Sequence, residues 1–323
     1  MSWLARHRSL PLPIPFMLAL APLLLACPAD AQVKNGFNLK NASIDPEQIH
    51  RGGPPRDGIP AIDRPRFTQA DDTGWLRPED RVLGLELGGL AKAYPIRILD
   101  WHEIVNDRFG DRPVVVSFCP LCGTGMAFDA RIDGETRTFG VSGLLYNSDV
   151  LLYDRGTESL WSQIEMEAIT GPMKGTELTL LPMQNTTWKA WRKEHPETLV
   201  LSRETGFRRS YDATPYEGYG TTPSLYFPVG HRDLRLQPKA PVLGLELAGT
   251  SKAYPFDRLD KALQGKSGTL TDTVAGRKVE IRYDAEAGAA AVFDEKGEEL
   301  PSVRGFWFAW AAFHPDTEVF EAE

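Results

Sequence analysis

The chain has 323 residues, of which 42% are hydrophobic and 25% charged, and it carries a formal net charge of −8. This length predicts one large or two modest domains with a hydrophobic core. The negative charge, with no basic stripe in the sequence to offset it, argues against a nucleic-acid-binding protein. The 29 glycines and 25 prolines predict many turns, and therefore much β structure.

Residues 1–31 are predicted to be an export signal, because a short basic region precedes the apolar run "PIPFMLALAPLLLA". Two cleavage positions compete. The sequence "ADA" would leave Gln32 as the new terminus, whereas "LLAC" resembles a bacterial lipobox, which ends the signal at residue 26 and places a lipid on Cys27. Both alternatives predict an exported protein, periplasmic or lipid-anchored in the bacterial envelope, that contacts a membrane only through an anchor at Cys27.

After the signal, the sequence matches itself. "VLGLELGGLAKAYPIRILD" (82–100) corresponds to "VLGLELAGTSKAYPFDRLD" (242–260). Further along, "WKAWRKEHPETLV" corresponds to "WFAWAAFHPDTEV". The spacing between the matches is far too long for a solenoid and indicates a duplicated unit.

The self-match predicts the organisation of the chain. An extended arm occupies 32–80, and a first repeat unit occupies 81–205 with an insertion at about 135–182. A Tyr/Pro-rich connector at 206–240 leads to a second, degenerate unit at 241–323. The predicted fold is α+β with mostly antiparallel strands, built from two homologous repeat units of which the first has a large insertion.

Within each unit the predicted elements follow one order. "VLGLEL" and "AKAYP" are typical of a hairpin, and a proline, Pro95 or Pro255, then opens a short amphipathic helix. In the first unit, "VVVSF" and "GMAFDARI" are predicted to be strands joined across a Cys-Pro-Leu-Cys-Gly turn. A tryptophan-rich helix ends at a His-Pro step, because proline disfavours helical geometry in the residue before it, and a strand follows.

Comparison of the two copies distinguishes features that serve the shared fold from features that occur in one copy only. Residues present in both, such as His195 and His314, are expected to serve the fold rather than catalysis. Cys119, Cys122 and His102 occur in the first copy only, where the second has aspartate or alanine. Because the second copy is predicted to form the same turn without cysteine, the sulfurs are candidates for function.

Cys119 and Cys122 lie in a turn that resembles the cysteine knuckles of rubredoxins and zinc ribbons. A knuckle supplies two ligands, and His102, at a core-facing position of the preceding helix, is predicted to supply the third. Three protein ligands and an open position are typical of catalytic zinc, and Cys with His also suits copper outside the cytosol. The predicted cofactor is therefore a zinc or copper ion. No nucleotide cofactor is expected, since the sequence has no phosphate-binding glycine loop.

Two other functions stay open. C-P-x-C also occurs in thiol–disulfide redox proteins, although a strand after Cys122 does not fit the long helix of the thioredoxin fold. The pair could instead form a structural disulfide in a non-catalytic module that binds a ligand or a partner, although closing so short a loop yields only about 2 kcal/mol. The predicted partner is a small molecule or a metal ion.

The insertion predicts a pocket wall beside the cysteines. "GLLYNSDVLLY" is apolar around a few hydrogen-bonding groups, which is the usual lining of a pocket, although a buried polar network would give the same pattern. Asp154 and Arg155 are expected to form a structural ion pair. The predicted pocket residues are Glu103, Asn106, Ser142, Tyr146, Asn147, Asp149, Tyr153, Asp154, Arg155, Ser159, Trp161 and Gln163.

Five segments together resemble an exported family of bacteria and archaea called domain of unknown function 3179. They are "GGPPRDGIPAIDRPRF", "AYPIRILDWHEIVND", "VVVSFCPLCGTGMAFD", "FGVSGLLYNSDVLLYDRGTESLWSQ" and "HPETLVLS", within roughly residues 45–320. The resemblance implies no activity. It does imply that the family's motif positions fall on His102, Glu103, Asn106, Cys119, Cys122, Ser142, Asn147, Tyr153, Asp154, Arg155, Trp161 and Gln163.

Overall fold

The computed structural model describes residues 32–322, so the predicted export signal and Cys27 lie outside the described residues. The described chain is mostly β, with 41% strand and 12% helix. Its α-helices are α1 (Ile96–Leu99), α2 (Trp188–Glu194), α3 (Phe256–Ala262) and α4 (Trp307–Phe313), and short 3-10 helices occupy Pro46–Gln48, Ala70–Asp72 and Tyr219–Thr221. None of the helices in 32–322 has the length and apolarity needed to cross a membrane.

The strands follow in chain order. The first thirteen are β1 (Val33–Lys34), β2 (Phe37–Asn38), β3 (Ile49–Arg51), β4 (Phe67–Gln69), β5 (Arg81–Leu87), β6 (Leu90–Pro95), β7 (Ile104–Phe109), β8 (Arg112–Cys119), β9 (Thr124–Asp129), β10 (Arg131–Ile132), β11 (Glu135–Thr136), β12 (Phe139–Tyr146) and β13 (Asp149–Asp154). The remainder are β14 (Leu160–Ser162), β15 (Glu167–Ala168), β16 (Leu180–Leu181), β17 (Gln184–Thr187), β18 (Leu199–Leu201), β19 (Pro241–Leu247), β20 (Thr250–Pro255), β21 (Gly268–Val274), β22 (Arg277–Asp284), β23 (Ala289–Phe293), β24 (Glu299–Leu300), β25 (Val303–Phe306) and β26 (Glu318–Val319).

Five sheets of four or five strands are arranged as the blades of a β-propeller. In order across each sheet, the blades are β17-β5-β6-β18-β4, β16-β9-β8-β7, β15-β14-β13-β12-β3, β25-β19-β20-β26 and β21-β22-β23-β24. Most neighbouring strands are antiparallel. The exceptions within the blades are β18 beside β6 and β26 beside β20, which pair in parallel.

The predicted α+β fold of two homologous repeat units is therefore wrong. The segments that match in sequence supply most strands of four blades, two from each segment. The predicted insertion supplies β12 to β15 of the fifth blade, and β3 from the predicted N-terminal arm completes it. The predicted hairpins β5–β6 and β19–β20 are present, but they are parts of blades and not of separate units. Helix α1 is also shorter than expected, because the chain turns after Leu99 and enters β7 at Ile104.

Glycine and tryptophan pack together at the centre of two blades. A Cβ atom on Gly84 would lie 2.2 Å from the ring of Trp191, and one on Gly244 would lie 2.2 Å from Trp310, so only glycine fits at these positions. The ring of His195 lies 4.0 Å from that of Trp191, and its backbone N–H donates to the Trp191 carbonyl at the end of α2. His195 thus contributes to helix packing.

Two contacts fix β7, the strand that leads from the helical turn towards the cysteines. The ammonium group of Lys92 on β6 lies 2.9 Å from both carboxylate oxygens of Asp107, and the Tyr94 hydroxyl donates to the same carboxylate at 2.6 Å. On the other side, the Asn106 amide donates to the Phe139 carbonyl at 2.8 Å and so joins β7 to β12 of the next blade. The Asn106 contact positions the blade of the insertion against the cysteine blade, and the Asp107 contacts join the cysteine blade to that of β5 and β6.

Candidate metal centre

The cysteines lie in a tight turn at the end of a hairpin. Cys119 ends β8 and pairs with Thr124, the first residue of β9, so the structure is strand–turn–strand as the sequence predicts. Gly123 closes the turn with a left-handed φ of 64°, which favours glycine. The Cys122 carbonyl accepts a hydrogen bond of 2.8 Å from the N–H of Phe306 on β25, so a neighbouring blade fixes the turn.

A second hairpin turn lies opposite the first. Asn147 and Ser148 form the two-residue turn between β12 and β13, with positive φ angles of 49° and 64° that are typical of a type I′ turn. The Asn147 side-chain oxygen accepts from the N–H of Gly230 at 2.7 Å, and the Ser148 hydroxyl donates to the Phe227 carbonyl at 2.7 Å. The connector thereby holds this turn, and Asp149 follows it as the first residue of β13.

The two turns bring three potential metal ligands together. The sulfurs of Cys119 and Cys122 and a carboxylate oxygen of Asp149 all lie within 4.8 Å of one another. None of the three residues is more than 1% exposed, and both thiols are free. The thiols point at the carbonyl of Ser148, at 3.8 Å from Cys119 and 3.4 Å from Cys122.

Only one of the two carboxylate oxygens of Asp149 accepts a hydrogen bond within the described chain. One oxygen accepts a hydrogen bond of 3.1 Å from the N–H of Ile164. The other, Oδ1, is buried and has no hydrogen-bond partner among residues 32–322. Because buried polar atoms are nearly always paired, this oxygen marks a place where a cation or donor would bind.

Burial favours the protonated forms of the acidic groups in this centre. It raises the pKa of both thiols, and that of Cys122 lies well above the usual range. Burial also raises the pKa of Asp149 to about 7, although the hydrogen bond from Ile164 opposes the shift. A metal ion would reverse this preference, because its positive charge favours thiolate and carboxylate.

Glu103 adds a further acidic group beside the cluster. It directly precedes β7, its carbonyl accepts from the Phe118 N–H at 2.7 Å, and its φ of 57° is left-handed, which strains a residue with a side chain. Burial, followed by the negative charges of Asp149 and Asp100, raises the pKa of Glu103 to about 8. The protein thus concentrates buried acidic groups around the two sulfurs.

The structure places His102, the third ligand predicted from the sequence, among protein groups. The side chain is fully buried, but it is not part of the cluster at the sulfurs, where Asp149 lies instead. Its Nδ1 lies 2.7 Å from the Pro60 carbonyl and its Nε2 lies 2.7 Å from the Tyr211 hydroxyl. Burial lowers the pKa of His102 to about 4, so the neutral ring donates from Nδ1 and accepts at Nε2. Both nitrogens are therefore occupied by protein groups.

The connector covers the cluster with tyrosines. The Lys239 ammonium group lies 3.2 Å from the centre of the Tyr219 ring, and it donates to the Tyr219 carbonyl at 2.5 Å and to the Ser224 carbonyl at 2.7 Å. Burial, and then the nearby Cys122 and Cys119, raise the pKa of Tyr219. The Tyr219 hydroxyl is buried and has no hydrogen-bond partner in the described chain.

Most of the other predicted pocket residues bond to the propeller itself. The Asn106 amide donates to the Phe139 carbonyl, the Ser142 hydroxyl to the Leu151 carbonyl and the Tyr153 hydroxyl to the Asp57 carboxylate. The Ser159 hydroxyl accepts from the Met173 N–H, and the Tyr146 ring packs against the Phe313 ring. Gln163 lies closer to the cysteines, because its amide donates to Ser117 at 2.8 Å and accepts from Thr124 at 2.7 Å. Apart from Tyr146, these side chains are therefore hydrogen-bonded within the protein.

The expected Asp154–Arg155 ion pair does not form. Asp154 accepts from the indole N–H of Trp161 at 3.1 Å and lies 3.5 Å from the Arg137 guanidinium. Arg155 instead lies 3.3 Å from Asp63. Neighbouring residues at a strand end point to opposite faces of the sheet, which separates the two side chains.

Asp149 is the candidate ligand that sequence reasoning did not identify as such. It was predicted only as a pocket residue, because no spacing links it to the cysteines. The signal available in the sequence was a carboxylate at the start of an otherwise apolar strand, "DVLLYD", directly after an Asn-Ser turn. A buried carboxylate in that position needs a partner that the strand does not supply.

The fold and the site together define a β-propeller with a buried Cys/Cys/Asp cluster between two hairpin turns. The chain belongs to the family described as "Protein of unknown function (DUF3179)", whose model matches residues 56–317. This confirms the resemblance carried by the sequence motifs. No match was found among curated proteins or among solved structures.

Proposed function

We propose that this is an exported metal-binding protein that holds one zinc ion between Cys119, Cys122 and Asp149. The observation that carries the proposal is the cluster itself, in which three ligand atoms from two hairpin turns lie within 4.8 Å of one another. The Oδ1 atom of Asp149 supports it, because coordination would satisfy a buried atom that has no hydrogen-bond partner among residues 32–322.

The distances suit a zinc ion after a small adjustment. Bonds of about 2.3 Å to sulfur and about 2.1 Å to oxygen in tetrahedral geometry place the ligand atoms about 3.5–3.8 Å apart. The three atoms therefore need to approach by about one ångström at most, which side-chain rotation supplies. The hairpin turns would not have to move, and three protein ligands would leave a fourth position for a water molecule or a small ligand.

The donor set favours zinc over copper. Copper(I) prefers soft ligands and copper(II) favours tetragonal sets of nitrogen and oxygen ligands, whereas zinc accepts thiolate and carboxylate in one tetrahedral site. Two thiolates and one carboxylate carry three negative charges, so a divalent ion offsets more of the buried charge than a monovalent ion does. The harder carboxylate ligand is thus the feature that selects zinc.

Burial weighs against the redox alternative. Thiol–disulfide exchange requires an accessible thiolate, but Cys119 and Cys122 are at most 1% exposed and burial raises the pKa of both thiols. A disulfide between them would hold only the short turn, which the hydrogen bond from Phe306 to the Cys122 carbonyl already holds.

Export is part of the proposal and rests on the N-terminal sequence. A basic region followed by a proline-containing apolar run within residues 1–31 supports cleavage by a signal peptidase or lipid attachment at Cys27. Mass determination of the protein isolated from bacterial envelopes tests it. A chain that starts at Gln32, or at a lipid-modified Cys27, is expected, and an uncleaved cytosolic chain would contradict export.

The metal proposal is tested by stoichiometry. The reduced, metal-free protein is dialysed against zinc, and bound zinc is measured by elemental analysis together with a free-thiol count. The wild type and His102→Ala are expected to bind one zinc ion per chain, while Cys119→Ser/Cys122→Ser and Asp149→Asn lose it. Equal zinc content in the wild type and the double cysteine variant would overturn the proposal.

A further inference from the structure

A second candidate site lies at the edge of the blade that contains β4 and β18. These two strands pair so that Leu201 lies opposite Phe67, and the Ser202 N–H donates to the Arg66 carbonyl at 2.8 Å. The segments 64–66 and 203–209 therefore leave the sheet at the same edge. Arginines from two segments that are far apart in the sequence meet there.

The arginines line two adjoining shallow cavities that are open to solvent. The two cavities share Arg203, Phe207 and Arg208. The full set of arginines around the two cavities is Arg64, Arg66, Arg203, Arg208 and Arg209. We call this surface the arginine groove.

The positive charge of the groove is only partly neutralised. Arg66 lies 3.1 Å from Glu204, and Arg203 lies 2.9 Å from Asp212. The other three guanidinium groups have no carboxylate within salt-bridge distance in the part of the chain that the structure describes, and Arg209 donates only to the Arg208 carbonyl. A local excess of positive charge in a chain with a net charge of −8 favours an anionic ligand.

Side-chain hydrogen bonds hold the loop that carries Arg203, Arg208 and Arg209 in place. The Tyr211 hydroxyl bridges His102 at 2.7 Å and Thr205 at 2.6 Å, and the indole N–H of Trp101 donates to the Ala213 carbonyl at 3.0 Å. The His102 ring also lies 5.5 Å from that of Phe207, which lines both cavities. This gives His102 a structural role, since it supports the groove from beneath.

We infer that the arginine groove binds a phosphate group, carried either by a phospholipid headgroup or by a soluble phosphate compound. Guanidinium groups bind phosphate through paired, charge-assisted hydrogen bonds. Three unpaired guanidinium groups offer more donors than a carboxylate can accept, whereas a phosphate with several oxygens and up to two negative charges can use them. The inference does not depend on the metal centre.

Two probes distinguish the sources of the phosphate. Soluble pyrophosphate is titrated into the full-length protein by calorimetry, and vesicles of phosphatidylglycerol are compared with vesicles of phosphatidylcholine in a sedimentation assay. Arg208→Ser/Arg209→Ser removes two groove cations, and Arg277→Ser/Lys278→Ser removes two exposed cations at the start of β22. The two variants have equal net charge, so a difference in binding between them indicates a specific site and not general electrostatic attraction.

Binding of at least one probe is expected, with a loss of about tenfold or more in Arg208→Ser/Arg209→Ser and less than about twofold in the control variant. Binding of pyrophosphate identifies a soluble ligand, and binding of phosphatidylglycerol vesicles alone identifies a lipid headgroup. The inference is overturned if neither probe binds, or if both variants lose binding equally. Unchanged zinc content in the groove variant keeps this result separate from the metal proposal.

Discussion

The carboxylate of Asp149 lies beside the sulfur of Cys122 although the two residues belong to different blades. Cys122 lies in the turn between β8 and β9, and Asp149 begins β13 in the blade formed by the insertion. Their ligand atoms, with that of Cys119, lie within 4.8 Å of one another. An ion held there would join two blades that are otherwise connected by packing and by side chains such as those of Asn106 and Gln163.

Zinc is therefore expected to stabilise the whole protein. A ligand that binds only the folded state stabilises it by about 2.7 kcal/mol at a hundred times its dissociation constant, which raises the melting temperature by several degrees. The shift should be present in the wild type and reduced in Asp149→Asn, measured by differential scanning calorimetry of reduced protein. An equal shift in Cys119→Ser/Cys122→Ser would show that zinc acts elsewhere.

Glu103 gives the metal-free protein a pH-dependent stability. Its pKa is about 8 in the folded protein, against an ordinary value of 4.5. Between these values the unfolded chain ionises and the folded chain does not, so stability falls as pH rises from about 4.5 to 8 and then levels off. Glu103→Gln should remove this contribution and melt about 5 °C or more above the wild type at pH 8.

The comparison for Glu103 is best made as the difference between the two proteins at each pH, because both contain His102 and its titration then cancels. Glu135→Gln serves as the control, because the Glu135 side chain is 75% exposed. The control should follow the wild type at every pH. Parallel pH profiles for Glu103→Gln and the wild type would show that Glu103 is ionised in the folded protein.

The buried pair Lys92–Asp107 should be costly to break. Both side chains are under 10% exposed, so Asp107→Ala leaves a buried ammonium group without its partner. The expected loss is about 3–5 kcal/mol in the free energy of unfolding by urea denaturation. Arg112→Ala breaks the more exposed pair with Asp129 and should cost less than about 1 kcal/mol. Similar losses for the two variants would argue against the buried arrangement.

His102 should matter for the connector and not for the metal. His102→Ala removes the hydrogen bonds to Pro60 and Tyr211, so amide hydrogen exchange in 205–213 should become faster while zinc content stays unchanged. His314→Ala is the matched control, because it removes another packed histidine, which lies on the Trp310 ring and far from this loop in the sequence. Loss of zinc in His102→Ala, with the protein still folded, would restore the ligand set predicted from the sequence.

Local structure could be predicted from the sequence where a strong pattern fixes it. The hairpin of β5 and β6, the cysteine turn and the helix that ends at His195 all follow from short-range signals. The propeller could not be predicted from the sequence, because several outer strands are too short to show an alternation of apolar and polar residues. Strands β15, β16 and β24, for example, have only two residues each. The insertion could not be recognised as a blade without the strands it pairs with.

The candidate site was predicted in the same partial way. Comparison of the two matching segments selected Cys119, Cys122 and His102, which occur only in the first segment. All three are buried. Burial alone does not say which groups meet, and the partners of His102 lie 42 and 109 residues away in the sequence. Asp149 reaches the sulfurs through a hairpin in another blade, a tertiary contact that no local spacing encodes.

Zinc-edge X-ray absorption of the zinc-loaded protein tests the central claim most directly, because it reports the ligand atoms themselves. We expect two sulfur ligands at about 2.3 Å and oxygen ligands at about 2.0–2.2 Å, with the sulfur shell absent in Cys119→Ser/Cys122→Ser. A spectrum of nitrogen and oxygen ligands alone in the wild type would contradict the Cys119/Cys122/Asp149 site.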